Sequence, residues 1–135
     1  MQPELSHCFI TVRDQGEALR FYRDAVGLAV RTDITMGESR WLTMGAPSQP
    51  DGVEISLETP VGRPGESGAL AKVMAAGSLT AAIFRVDDCD ASFTKAVEAG
   101  AEVVQEPKDQ PYGVRDCAVR DPSKNMVRFS QPLSG

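Results

Sequence analysis

Val12, Asp14 and Val53 recur 74 residues later as Val86, Asp88 and Val127 (86 − 12, 88 − 14, 127 − 53). A repeat kept in register constrains a fold more than composition does, because a slip of one residue exchanges the two faces of a strand. In the first copy, residues 5–12 alternate, with Cys8, Ile10 and Val12 on one face and His7, Phe9 and Thr11 on the other, as a strand requires. Asp14 followed by Glu17 has the spacing of a capping box. Ala18, Leu19, Tyr22 and Val26 then recur at helical spacing up to Gly27, a residue suited to ending a helix. Strands are predicted over 28–35, 40–44 and 52–58. The second copy gives a strand over 79–86, a helix capped by Asp88 or Asp90 and ending at Gly100, and strands over 101–105, 114–119 and 125–131. The helix ends lie 73 apart (100 − 27), so one residue is gained or lost between strand and helix. The predicted fold class is α+β, a single domain of two βαβββ modules, 4–59 and 79–132. The linker 60–78 carries a short helical patch on Leu70, Val73 and Met74.

The stretch Pro111 to Gln131 completes the second module. Asp121-Pro122-Ser123-Lys124-Asn125 predicts a tight turn: the residue before proline is driven extended, proline fixes its own φ, and Asn125 tolerates a left-handed backbone. Beyond it Met126, Arg128 and Ser130 share one face of the returning strand, and Val127 and Phe129 the other.

Composition narrows the function classes. A net charge of −5 and a pI near 4.8 argue against a nucleic-acid binder, which draws its affinity from a basic face. No run approaches the ~20 apolar residues of a membrane span, and MQPELSH lacks the build of a secretory signal, so a cytoplasmic protein is expected. Cys8, Cys89 and Cys117 are odd in number and form no CxxC pair, so buried reduced thiols are expected rather than a disulfide framework or zinc ribbon.

Two motif groups carry a family resemblance: Val12-Arg13-Asp14 leading into Ala18-Leu19-Arg20-Phe21-Tyr22 with Gly27-Leu28, and Pro111-Tyr112-Gly113-Val114 through Asp121-Pro122-Ser123-Lys124-Asn125. Over nearly its whole length the chain resembles the vicinal oxygen chelate superfamily, which includes glyoxalase I, extradiol dioxygenases and bleomycin-resistance proteins. The resemblance implies a concave eight-stranded cleft. In metal-dependent members the first and last strands of each module supply up to four ligands to a divalent ion. Those positions fall on His7 and Glu54 in the first module, and on Ala81 (81 − 7 = 74) and Arg128 (128 − 54 = 74) in the second. Alanine coordinates nothing and arginine repels a cation, so no metal or other cofactor is expected; the alternative is a weak divalent-metal site on His7 and Glu54.

If the apolar strand faces pack on the helices, the mixed faces line the cleft. They bring His7, Phe9 and Thr11 together with Glu54, Ser56 and Glu58, and Ala81, Ile83 and Arg85 together with Met126, Arg128 and Ser130. The same separation sets Trp41 opposite Arg115 and Thr43 opposite Cys117, while Tyr112 either lids the pocket or caps the sheet. The predicted ligand cleft is thus His7, Phe9, Thr11, Trp41, Glu54, Ser56, Arg85, Tyr112, Arg115 and Arg128. Arg128 has two readings, a fork for an anionic ligand or a structural partner of Glu54 or Glu58. Three functions follow: a metal-independent small-molecule binder of the bleomycin-resistance type; a lyase, isomerase or dioxygenase using His7 and Glu54 as acid/base groups or in a degenerate metal site; or, were the cavity closed by an Arg128 salt bridge, an unliganded interaction domain. Family members often form two-fold dimers, so a homodimer is expected.

Overall fold

Asp14 starts the first helix. Its Oδ1 accepts from the Glu17 N–H at 2.7 Å, while the Glu17 carboxylate turns to the Arg13 guanidinium (2.9 Å). The computed structural model describes residues 2–59, 72, 76 and 79–133. Apart from Lys72 and Ala76, the predicted linker and its patch on Leu70, Val73 and Met74 lie outside the described residues.

The first module runs β1 (His7–Thr11), α1 (Gln15–Phe21), a π-helical turn (Tyr22–Val26), β2 (Ala29–Met36), β3 (Ser39–Gly45) and β4 (Glu54–Glu58). The wide turn closes where Gly27 (φ 95°) and Leu28 both donate their N–H to the Tyr22 carbonyl, at 3.1 and 2.8 Å. A positive φ there suits glycine, as the sequence requires. The second module runs β5 (Thr80–Arg85), α2 (Cys89–Glu98), β6 (Glu102–Asp109), β7 (Val114–Arg120) and β8 (Met126–Pro132). Asp88 is its cap, accepting from the Ala91 N–H at 3.0 Å, and Asp90 lies in the first turn.

Each module folds one four-stranded mixed sheet, in the orders β1-β4-β3-β2 and β5-β8-β7-β6. The first and last strands of each module are parallel neighbours and the remaining pairs are antiparallel. The helix carries the chain from the first strand to the second at the far edge of the sheet, and two antiparallel returns then bring the last strand beside the first.

One hydrophobic core serves both modules. Ile10, Val12, Ile55 and Leu57 from the first sheet and Val119, Val127 and Phe129 from the second are buried in the same cluster as Ala18, Phe21, Tyr22 and Ala96 from the helices. Burying each large side chain contributes roughly 1.5–3 kcal/mol. Of the predicted apolar faces, Ile10, Val12, Val127 and Phe129 are buried while Cys8 at the sheet margin is exposed; of the three thiols only Cys89 and Cys117 are buried.

The turn at 121–125 fastens the modules together. The Asp121 carboxylate accepts from the Ser123 and Asn125 N–H groups, from Asn125 Nδ2 and from the buried Tyr22 hydroxyl (2.7 Å). Asn125 Nδ2 also donates to the Thr11 carbonyl (2.8 Å), and the Arg13 N–H donates to Ser123 Oγ (2.9 Å). The left-handed residue in this turn is Lys124 (φ 73°) rather than Asn125, whose side chain is used for the cross-module bonds instead.

Candidate functional site

Since both helices and the shared core cover one face of each sheet, the other face of each sheet is open. Phe9 remains 58% exposed on the first and Ile83 70% exposed on the second, so neither open face covers the other within one chain. The residues predicted to share a cleft therefore form two half-sites.

The first half-site lies on β1, β3 and β4, where His7 pairs with Glu54 and Phe9 with Ser56, and Thr43 pairs with Ser56 from the other side. Thr43 Oγ1 donates to Glu54 Oε1 at 2.6 Å, and His7 Nε2 stands 3.9 Å from Glu54 Oε2. The His7 ring lies 6.0 Å from that of Trp41, with Nδ1 2.9 Å from Ser6 Oγ. Thr11 and Glu58 continue the same face toward the end of the sheet. His7, Phe9, Trp41, Glu54 and Ser56 are thus brought together as the alternation of the strands predicts.

The second half-site centres on a residue the sequence reading did not select. Asp116, 1% exposed, stands in the middle of β7. Its Oδ1 accepts from Gln105 Nε2 (2.8 Å) and Gln110 Nε2 (2.9 Å), its Oδ2 accepts from the Tyr112 hydroxyl (3.1 Å), and Arg128 Nη1 lies 3.3 Å from Oδ2. Burial works to raise the Asp116 pKa. The bonds from Gln110, Gln105 and Tyr112 and the Arg128 charge outweigh it and hold the carboxyl below its usual range. Arg128 also donates to Gln105 Oε1 (3.1 Å). Its partner is therefore Asp116 on the neighbouring strand, not Glu54 or Glu58. Tyr112, 67% exposed, sits on the turn at the mouth of this half-site and ties its hydroxyl to Asp116, which fits neither a free lid nor a simple sheet cap.

Arg115 does not belong to the site. It pairs with Gln131 on the helix-facing side of the sheet, bridging Asp90 of α2 and Asp109, both at 3.0 Å. The register explains the error. Thr43 lies opposite Ser56, but Ser130, 74 residues beyond Ser56, lies opposite Asp116, only 73 beyond Thr43 (116 − 43). One residue of slip exchanges the faces, so Asp116 rather than Cys117 or Arg115 turns to the open side. β5 slips by an even number: Ile83, not Ala81, pairs with Arg128, and Arg85 pairs with Ser130. Faces survive an even slip. Ala81, Ile83, Met126 and Arg128 share an open depression of about 400 Å³ with Thr80 and Ala82, between which the pairing is interrupted, and Arg85 is exposed. The available clue to Asp116 was an aspartate inside a strand, a position that residue type avoids.

The residues at the inherited ligand positions do not fit a family metal. His7 and Glu54 lie on one sheet, Ala81 has no donor, and Arg128 carries a positive charge already engaged by Asp116. Among the described residues no group of three or more His, Cys, Asp or Glu side chains is placed to hold a metal ion. No described helix is long and apolar enough to cross a membrane.

Residues 4–129 match the family described as Glyoxalase/Bleomycin resistance protein/Dioxygenase superfamily. The chain is similar to the uncharacterized protein YurT of Bacillus subtilis (strain 168), 35% identical over 98 residues that span 73% of this chain and 76% of YurT. Among solved structures, UcmS2 superposes with a TM-score of 0.87 at 32% identity, covering 96% of this chain and 98% of its own. TnmS3, an antibiotic binding protein from Streptomyces sp. CB03234, superposes with a TM-score of 0.75 at 28% identity, covering 97% of each chain. With paired βαβββ modules and a family match over most of its length, the chain belongs to the glyoxalase/bleomycin resistance protein/dioxygenase superfamily.

Proposed function

We propose that this protein binds a small organic molecule without a metal ion, in a cleft formed when the open face of one module meets the complementary module of a second copy. The observation that carries the reading is the engagement of Arg128 by Asp116: the position where relatives place a metal-binding carboxylate here holds a cation fixed by its own buried counter-charge. The similarity to an antibiotic binding protein supports a ligand-binding role, and the exposed Phe9 and Ile83 supply apolar surface for both ligand and partner. A thermal-shift screen of aromatic and antibiotic-type compounds, combined with elemental analysis of the purified protein, tests it. Compounds that raise the melting temperature of metal-free protein are expected. About one Zn, Ni, Mn or Fe per chain, with stabilisation that disappears on chelation, would overturn the metal-free reading. Light scattering is expected to give a dimer; a stable monomer at micromolar concentration contradicts the shared cleft.

The catalytic reading keeps one specific observation, the 3.9 Å approach of His7 to Glu54 beside Trp41. It requires turnover of a bound compound that His7→Ala and Glu54→Gln each abolish.

A further inference from the structure

Ser56 Oγ is the buried side-chain oxygen that, among the described residues, makes no hydrogen bond. Ser56 is 1% exposed, on the open face of β4, between Phe9 of β1 and Thr43 of β3. Phe9 offers it no polar atom, and the Thr43 hydroxyl is turned to Glu54 Oε1. A hydroxyl left unpaired in the interior is costly, so its presence on the open face of β4 calls for a partner brought from outside.

We propose that Ser56 anchors a hydroxyl group of a neutral aromatic ligand, an inference that rests on the small-molecule reading above. The chemistry around Ser56 selects among ligand groups. A carboxylate is disfavoured because Glu54 and Glu58 flank Ser56 on the same strand face, and Arg128 is already engaged by Asp116. An ammonium has no lone pair to accept the Ser56 proton. A hydroxyl can accept from Ser56 and donate to Glu54 Oε2, which His7 approaches only to 3.9 Å. The exposed Phe9 ring and the nearby Trp41 offer apolar surface for the ring that carries it.

The test compares 2-naphthol with 2-methylnaphthalene, two probes of similar shape that differ in the hydroxyl, by calorimetric or fluorescence titration of wild type and Ser56→Ala. Wild type is expected to prefer 2-naphthol by about tenfold, the scale of one buried hydrogen bond. Ser56→Ala should lose most of that preference and bind 2-methylnaphthalene as wild type does. An undiminished preference in Ser56→Ala, or equal binding of both probes by wild type, overturns the anchor and leaves the small-molecule reading standing. Binding of neither probe by wild type overturns the aromatic-binding reading and the anchor together.

Discussion

Asp116 on β7 and Arg128 on β8 are diagonal neighbours, each two residues from the other's register partner, the carboxylate almost fully buried and the guanidinium 3.3 Å away, with three further donors on the same carboxylate. A charge buried in this way is held by its partners, and removing one partner leaves the rest of the cost in place.

Arg128→Met is therefore expected to destabilise the protein by about 1–2 kcal/mol, less than for a fully buried pair because Arg128 is partly exposed and Asp116 keeps its three other donors. Adding Asp116→Asn should recover part of the loss, whereas adding Glu54→Gln should not. Urea denaturation of the two double variants distinguishes them; recovery through Glu54 instead would show that the arginine is coupled to the other module.

The pH dependence follows from the same carboxylate. The folded pKa of Asp116 is depressed below its unfolded value, so its stabilisation is fully present above the unfolded pKa of about 4 and is lost as pH falls through the folded value. The stability difference between wild type and Asp116→Asn should be constant from neutral pH down to about pH 5 and shrink below about pH 4. Melting curves at a series of pH values check this, and a difference that grows on acidification would contradict it.

Tyr22→Phe removes the 2.7 Å hydrogen bond to Asp121 that joins residues 99 positions apart. Both groups are buried, so a loss of about 1–3 kcal/mol is expected, moderated by the three other donors that Asp121 retains. Because the bond links the modules, the unfolding transition should stay single while shifting to lower denaturant; an unchanged midpoint would remove this bond from the clamp.

The thiols should divide by exposure. Cys8 is open to solvent, whereas Cys89 and Cys117 are fully buried, and burial pushes the Cys117 thiol up to about 12. Native protein at neutral pH is expected to react with a thiol reagent at about one site per chain, rising to three on denaturation, as counted by mass spectrometry.

The sequence by itself determined the two modules, the Asp14 cap, the glycines that close the helices and the side to which the residues of β1, β4 and β8 and of β5 from Ala82 onward point, while the structure chose Asp88 over Asp90 as the second cap. Those features are local: an aspartate cap, a positive-φ glycine and period-two alternation act over a few residues, and each lies within one short segment. Even the two-residue slip of β5 against β8 left the faces of Ile83 and Arg85 intact, the pairing being interrupted only between Thr80 and Ala82. The tertiary structure alone decided the register of β3 against β4 and of β7 against β8, where paired residues lie 13 apart in the first module (56 − 43) and 14 apart in the second (130 − 116). That single residue of difference in the connecting turn set Arg115 toward the helices and Asp116 toward the open face. The tertiary structure also decided that His7 and Glu54 would lie on a different half-site from Arg128. Alternation along a strand says which face a side chain takes; which sheet that face meets depends on how the shared core packs the modules together.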